Sequence, residues 1–132
     1  MTRFADTSFW FGLFTPGDRR HPPAKGIWET NTEPILTSNL VVGETWTLLR
    51  VRKTSHLLAL EMIDGIETSP TVEVARVGPT DEARAWDWLR THDERVYSFV
   101  DATSFVVMRR RHLSSALAFD GDFAAAGFVE VR

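Results

Sequence analysis

The sequence predicts an α/β domain: a mostly parallel central sheet of about four to five strands with helices on both faces. Short apolar runs of strand length alternate with longer segments of helical period from one end of the chain to the other, and no Asn-Gly hairpin signal joins one run to the next. Parallel strands need long crossover connections, normally helical, so this alternation points to a wound sheet. A further observation bears on function. Four carboxylates, Asp6, Glu44, Asp101 and Asp120, stand inside or at the edges of apolar segments, and in wound sheets chemistry gathers at the carboxyl ends of the strands.

Arg3 to Asp6 reads as a short strand running into an aromatic helix, Thr7 to Phe14, which Thr15-Pro16-Gly17-Asp18 then breaks as a turn. A second helix spans His21 to about Thr30, with Pro22 and Pro23 tolerated in its first turn, where no backbone donor is needed. Pro34 to Thr37 is a short buried strand. Asn39 to Lys53 carries Leu40, Val41, Leu48, Leu49 and Val51 at helical spacing, and another helix follows from about Ser55 to Ile66. Val72 to Val77 alternates as a strand should, with Val72, Val74 and Val77 apolar around Glu73 and Arg76. Thr80 is the expected N-cap of a helix running to about Thr91, and Asp81 and Glu82 suit its positive end. Ser98 starts the next helix, which continues through Phe105 and Met108 to Arg111; Ser115 to Phe119 and Phe128 to Val131 are the last two strands.

With 132 residues and no linker composition or internal repeat, residues 1–132 read as one domain, large enough to bury roughly two thirds of its unfolded surface. The formal net charge of −3 gives no global attraction to nucleic acid, so polyanion binding needs a local basic surface or a metal. Cysteine is absent, which excludes disulfides, zinc thiolates and a thiol nucleophile. Met1-Thr2-Arg3 is followed at once by Asp6, and the apolar run Phe9 to Phe14 is too short for a secretory signal, so a cytoplasmic protein with no membrane partner is expected.

Each acid has a bland explanation to set beside a functional one. Asp6 can cap the helix after it. Asp101 stands three residues after Ser98, the spacing of a capping box. Asp120-Gly121 can be turn chemistry. Glu44 falls mid-helix between Leu40 and Leu48, on a face expected to be dry, with no basic residue at the neighbouring helical positions; an arginine from elsewhere in the fold is its bland partner. An unpaired buried carboxylate costs several kcal/mol, so four brought together need protons, cations or hydrogen bonds. Oxygen ligands without nitrogen or sulfur suit hard cations such as Mg²⁺ or Mn²⁺, which act beside phosphates, and that points to phosphodiester hydrolysis.

Four blocks carry a family resemblance: DTS after the first strand, TSNLVVGE opening the third helix, SFVDATSF, and ALAFDGDF before the last strand. Across essentially its whole length the chain resembles the PIN-domain nucleases and, within them, the small VapC toxins of bacterial toxin–antitoxin pairs. The resemblance implies a compact three-layer α/β/α PIN-like fold and an endoribonuclease that depends on Mg²⁺ or Mn²⁺. It further implies metal-ligand roles, directly or through water, for Asp6, Glu44, Asp101 and Asp120. Asp122 lies in the same stretch as the family's last acid and stays open as an alternative or supporting group. Thr7 and Ser8 follow the first acid and can orient it. A cognate VapB-type antitoxin and a homodimer are the partners the resemblance implies.

RNA needs a cationic surface, supplied here almost wholly by arginine, since Lys25 and Lys53 are the only lysines. Candidates are Arg50 and Arg52 with Lys53, Arg109 and Arg110 with Arg111, and Arg19 and Arg20; helix-end charge preference or a solvated face explains the first two groups slightly better than RNA binding does. Trp10, Phe11, Phe14, Trp28 and Trp46 can stack on bases but more often form core. His21, His56, His92 and His112 lack zinc-ligand spacing and read as exposed or capping. The rival function is a PIN-like module that binds RNA or protein without cutting, and a DNA-directed or flap nuclease would share the chemistry.

Overall fold

The structure is a computed structural model and describes residues 1–52 and 55–132. Lys53, expected at the end of the third helix, lies outside the described residues. The elements are β1 (Arg3–Ala5), α1 (Thr7–Leu13), α2 (His21–Thr30), β2 (Ile35–Ser38), α3 (Asn39–Val51), α4 (His56–Thr68), β3 (Val72–Ala75), α5 (Pro79–Arg90), α6 (Phe99–Arg110), β4 (Ser115–Leu117), α7 (Asp122–Ala125) and β5 (Val129–Val131).

The five strands form one sheet in the order β3-β2-β1-β4-β5, and every pairing is parallel, a step beyond the mostly parallel sheet expected. Central β1 sets the register, with Phe4 opposite Leu36 on one side and Ala116 on the other. From β1 the chain winds outward to β2 and β3, then crosses back to β4 and out to β5. Right-handed crossovers therefore place α1 to α4 on one face and α5 to α7 on the other. The winding reverses between β1 and β4, and the crevice outside their carboxyl ends is where such sheets bind ligands.

Residues of both faces pack onto the sheet in one core, in which Phe4, Phe9, Trp10, Phe105 and Phe123 are fully buried. The rings of Phe105 and Phe123 meet edge to face at 5.0 Å. A buried polar relay fixes the end of β1 against its neighbours: the Trp10 indole N–H donates to Thr37 Oγ1 at 3.1 Å, and the Thr37 hydroxyl donates to the Ala5 carbonyl at 2.9 Å. Gly12 is needed for close approach, because a Cβ there would lie 2.9 Å from Arg20 Cβ. The loop before α2 is thereby packed back onto α1. Among the described residues no helix is long and apolar enough to cross a membrane.

Local details differ from the sequence expectations. The N-cap of α5 is Gly78 and not Thr80, because Pro79 occupies the first helical position, where a missing N–H costs nothing. Asp81, expected to favour a helix end, is buried and accepts both arms of Arg110, at 3.1 and 2.9 Å. The buried stripe of α3 is Val41, Thr45 and Leu49; Leu40, Glu44 and Leu48 lie beside it, half-buried, so Glu44 is not on a dry face. The short helix α7 was not expected from the sequence.

Replacing Thr37 with Val should leave the Trp10 N–H unpaired in the core and cost about 1–3 kcal/mol. Urea unfolding followed by tryptophan fluorescence measures it, with an unchanged midpoint as the contrary result.

Candidate active site

Asp6 is the first residue after β1 and caps α1. Its carboxylate accepts the Ser8 backbone N–H at 3.3 Å and the Ser8 hydroxyl at 3.0 Å. Ser8 Oγ in turn accepts the Phe119 N–H at 3.0 Å, and the Asp6 N–H reaches the Leu117 carbonyl at 3.1 Å. One serine thus ties the first acid to the chain that leaves β4 toward Asp120. Asp101 forms the expected capping box: the Ser98 hydroxyl accepts the Asp101 N–H at 2.9 Å, and the Asp101 carboxylate accepts the Ser98 N–H at 3.0 Å. Both acids are more than nine-tenths buried.

The three acids Asp6, Asp101 and Asp120 press on one another electrostatically. Burial pushes the Asp6 carboxyl well above the usual carboxylate range, and the charges of Asp120 and Asp101 raise it further against the pull of Ser8. Asp101 is raised from 3.8 to about 6, first by burial and also by Asp122 and Asp120. Asp120 sits at the open side of the site; partial desolvation raises it, Asp122 and Glu130 add to the shift, and Arg20 opposes it. Asp122 is bound differently, its Oδ1 held by Arg95 Nε at 2.9 Å. Only Asp120 of this pair acts on Asp6 among its main influences.

Glu44 lines a surface hollow with Asn39, Leu40, Gly43, Thr47, Phe99 and Val100. It therefore faces the start of α6, next to Asp101 in sequence, and is not among the main influences on the three other acids. Among the described residues no arginine pairs with it. The Thr7 hydroxyl, next to Asp6, is buried without a hydrogen-bond partner.

Among the described residues no three His, Cys, Asp or Glu groups are drawn together tightly enough to cage an ion unaided. The donors nonetheless suit a hard dication. They are all oxygens, they repel one another, and no described cationic side chain pairs with Asp6 or Asp101. Mg²⁺ keeps several of its waters and commonly takes one or two carboxylates directly, so a loose set fits it better than a closed cage.

The arginines divide by position. Arg19, Arg20 and Arg52 share a hollow with Phe11, Asp18 and Leu48, with the Arg52 guanidinium 5.6 Å from the centre of the Phe11 ring; the charge of Arg20 is the one of these that lowers the Asp120 carboxyl. Arg50 is exposed. Arg109 and Arg110 end α6, roughly 12 Å along the helix from Asp101 at 1.5 Å per residue. Arg109 donates to the Ala126 carbonyl and covers Phe128, Arg110 serves Asp81, and Arg111 pairs with Glu73. The geometry thus shifts the cationic weight near the acids to Arg20 and to Arg95, a residue the sequence did not single out. Trp10 and Phe11 are core, and Trp28 packs edge-on against Trp10. His21 and His92 bond backbone carbonyls of Gly12 and Trp88, as capping residues would.

A parallel α/β/α domain with carboxylates gathered where its winding reverses has the architecture of a metal-dependent nuclease. Residues 3–129 match the family described as PIN domain, and the chain belongs to that family. Two curated relatives from Mycobacterium tuberculosis, strains CDC 1551 / Oshkosh and ATCC 25618 / H37Rv, are both named 23S rRNA-specific endonuclease VapC20. Each is 54% identical over 129 residues, which covers 98% of this chain and 97% of the relative. The crystal structure of M. tuberculosis VapC20, described as a sarcin-ricin loop cleaving toxin, superposes with a TM-score of 0.92 at 52% identity, covering 100% of this chain and 99% of that one. The chain is thus an endoribonuclease of the VapC type, and the family uses a divalent metal.

The raised acids make a stability prediction for the metal-free protein. Their protons are held more tightly in the folded than in the unfolded state, so their contribution to stability is greatest at low pH and is lost as pH rises through the folded values. For Asp101 the window runs from 3.8 to about 6, and the loss is on the order of 3 kcal/mol. Asp101→Asn keeps an acceptor for the Ser98 N–H, so its thermal midpoint without metal should match the parent at acidic pH and equal or exceed it at neutral pH. A midpoint clearly below the parent at neutral pH would contradict this.

Proposed function

We propose that this chain hydrolyses a phosphodiester bond in the sarcin-ricin loop of 23S rRNA, with Mg²⁺ or Mn²⁺ held by Asp6, Asp101 and Asp120, and with Glu44 contributing from the edge, through water. The observation that carries the site is Asp6: a carboxylate 2% exposed, pressed by two others, with hydroxyl and amide donors in place of a cation. The substrate is proposed from the relatives' names and from identity that runs the length of both chains.

When bound, the dication supplies an activated water and charge stabilisation at the phosphate. The protein's own residues do the rest. Ser8 and the amide at the start of α1 orient Asp6, and the Ser98 capping box orients Asp101, so neither carboxylate must reorganise during the reaction. Thr7, whose hydroxyl is buried without a hydrogen-bond partner, would support the first acid through a water, and Asp122 would support Asp120 from within the same turn. Arg19, Arg20 and Arg52 offer guanidinium groups for phosphates on the flank of the acids.

A VapB-type antitoxin would silence the enzyme most directly by lending a basic side chain to the acidic pocket. We also propose a homodimer and a cytoplasmic site of action, where ribosomes are found.

Purified ribosomes and protein-free 23S rRNA should both be tested with Mg²⁺ and with Mn²⁺, the cut ends being mapped by primer extension. The expected result is one dominant cut in the sarcin-ricin loop, lost with chelator and restored by added metal. Asp6→Asn and Asp101→Asn should each lower the rate on the order of a hundredfold or more, the scale of removing one group that stabilises developing charge. Tight RNA binding without any cut would instead make the chain a binding module.

A further inference from the structure

The turn after β4 carries both Asp120 and Asp122 and has little of its own to hold it. It leads into α7, which is four residues long, and Gly121 adopts φ 86°, a backbone state side chains disfavour. Inside the turn the Asp122 N–H donates to Asp120 Oδ1 at 3.3 Å. Stronger supports come from outside, on two sides.

From β5, Glu130 spreads its carboxylate over two amides: Oε1 accepts from the Gly121 N–H at 3.2 Å and Oε2 from the Ala124 N–H at 3.1 Å. Its side chain is 3% exposed and is steadied by Arg132 at 2.6 Å. From the loop between α5 and α6, Arg95 donates Nε to Asp122 at 2.9 Å and Nη2 to the Asp120 carbonyl at 3.3 Å. Glu130 satisfies the donors of the turn, and Arg95 satisfies its acceptors. Holding the donors with a carboxylate sets a negative charge beside Asp120. A neutral cap would avoid that repulsion but could not grip two amides at once through two equivalent oxygens.

We infer that Glu130 and Arg95 are positioning residues for the metal-binding edge of the site. Together they fix the Asp120-Gly121-Asp122 turn so that the Asp120 carboxylate is held against Asp6 and Asp101, while Arg95 keeps Asp122 engaged elsewhere. The inference rests on the reading that Asp120 belongs to the metal site.

Glu130→Gln preserves shape but turns an amide N–H₂ toward one of the two backbone donors; Arg95→Ala removes the opposite support from an exposed loop. Asp120→Asn serves as the reference. Mn²⁺ binding without RNA is read by calorimetry, amide exchange at Gly121 and Ala124 by NMR, and kcat and KM on RNA by steady-state kinetics. Both variants should weaken Mn²⁺ binding by about tenfold to a hundredfold, the range for groups that orient metal ligands. They should lower kcat at fixed Mn²⁺ and leave KM for RNA unchanged, and Glu130→Gln should lose exchange protection at Gly121 and Ala124. Folded variants with parental Mn²⁺ affinity and kcat would overturn the inference, including the case where Glu130→Gln lowers only the unfolding midpoint. If Glu130→Gln fails to fold, Arg95→Ala decides by the same readouts. Parental Mn²⁺ binding and cleavage in Asp120→Asn would instead remove the metal-site reading itself, whereas an inactive Asp120→Asn beside parental Glu130→Gln and Arg95→Ala would remove only the positioning role.

Discussion

Asp6 is buried at the end of the central strand with neutral donors around it, and much of the local architecture follows from tolerating that charge. Desolvating a carboxylate is costly unless hydrogen bonds or opposite charge compensate. Two amide-rich helix starts supply part of the compensation: Asp6 caps α1 and Asp101 completes the capping box of α6. The residual repulsion among Asp6, Asp101 and Asp120 remains, and it is the kind of local stability loss that a functional site accepts. The buried relay from Trp10 through Thr37 to Ala5 holds the strand end on which that charge is mounted.

Cap and metal-site roles for these acids are therefore not competing explanations. A carboxylate that accepts a backbone amide through one oxygen has its direction set by the helix and keeps a second oxygen for another partner. In Asp101, Oδ2 takes the Ser98 N–H; in Asp6, Oδ2 takes both Ser8 donors. The same bonds that begin the helices aim the acids. Asp120 lacks a long helix to aim it, and its turn draws on Glu130 and Arg95 instead.

The elements and their order were legible because apolar period and caps act locally: Ser38, Ser55 and Ser98 each cap the helix that follows, and every expected strand appears within a few residues of its place. Asp6, Asp101 and Asp120 were legible as acids in apolar surroundings. Glu44 was legible as an acid on α3 but not as to its face, because Thr45 takes a core position by turning its hydroxyl onto the Val41 carbonyl, and the apolar pattern read one residue aside. Arg95 and Glu130 left no signal. In HDERVYS an arginine looks like one more loop charge, and in FVEVR a glutamate between valines looks like the solvent side of a strand. Both gain their role from chain segments 25 to 27 and six to nine residues away, respectively. Asp81 and Arg110 pair over a similar separation and were missed for the same reason.

The sign of the charge at the site sets an order on recognition. RNA is a polyanion, and carboxylates in their ionised form repel its phosphates as well as one another. On the proposed reading Arg19, Arg20 and Arg52 would hold the strand on the flank, and a phosphate would approach Asp6 closely only once positive charge offsets the ionised acids. Binding of the scissile phosphate and readiness for hydrolysis would then be coupled, because the carboxylates that keep phosphate away are the ones that would hold the cation. A cationic side chain lodged among these acids would balance the charge without offering a site for phosphate, so an inhibitor of this enzyme needs only to compete for the position that gives the acids their compensation.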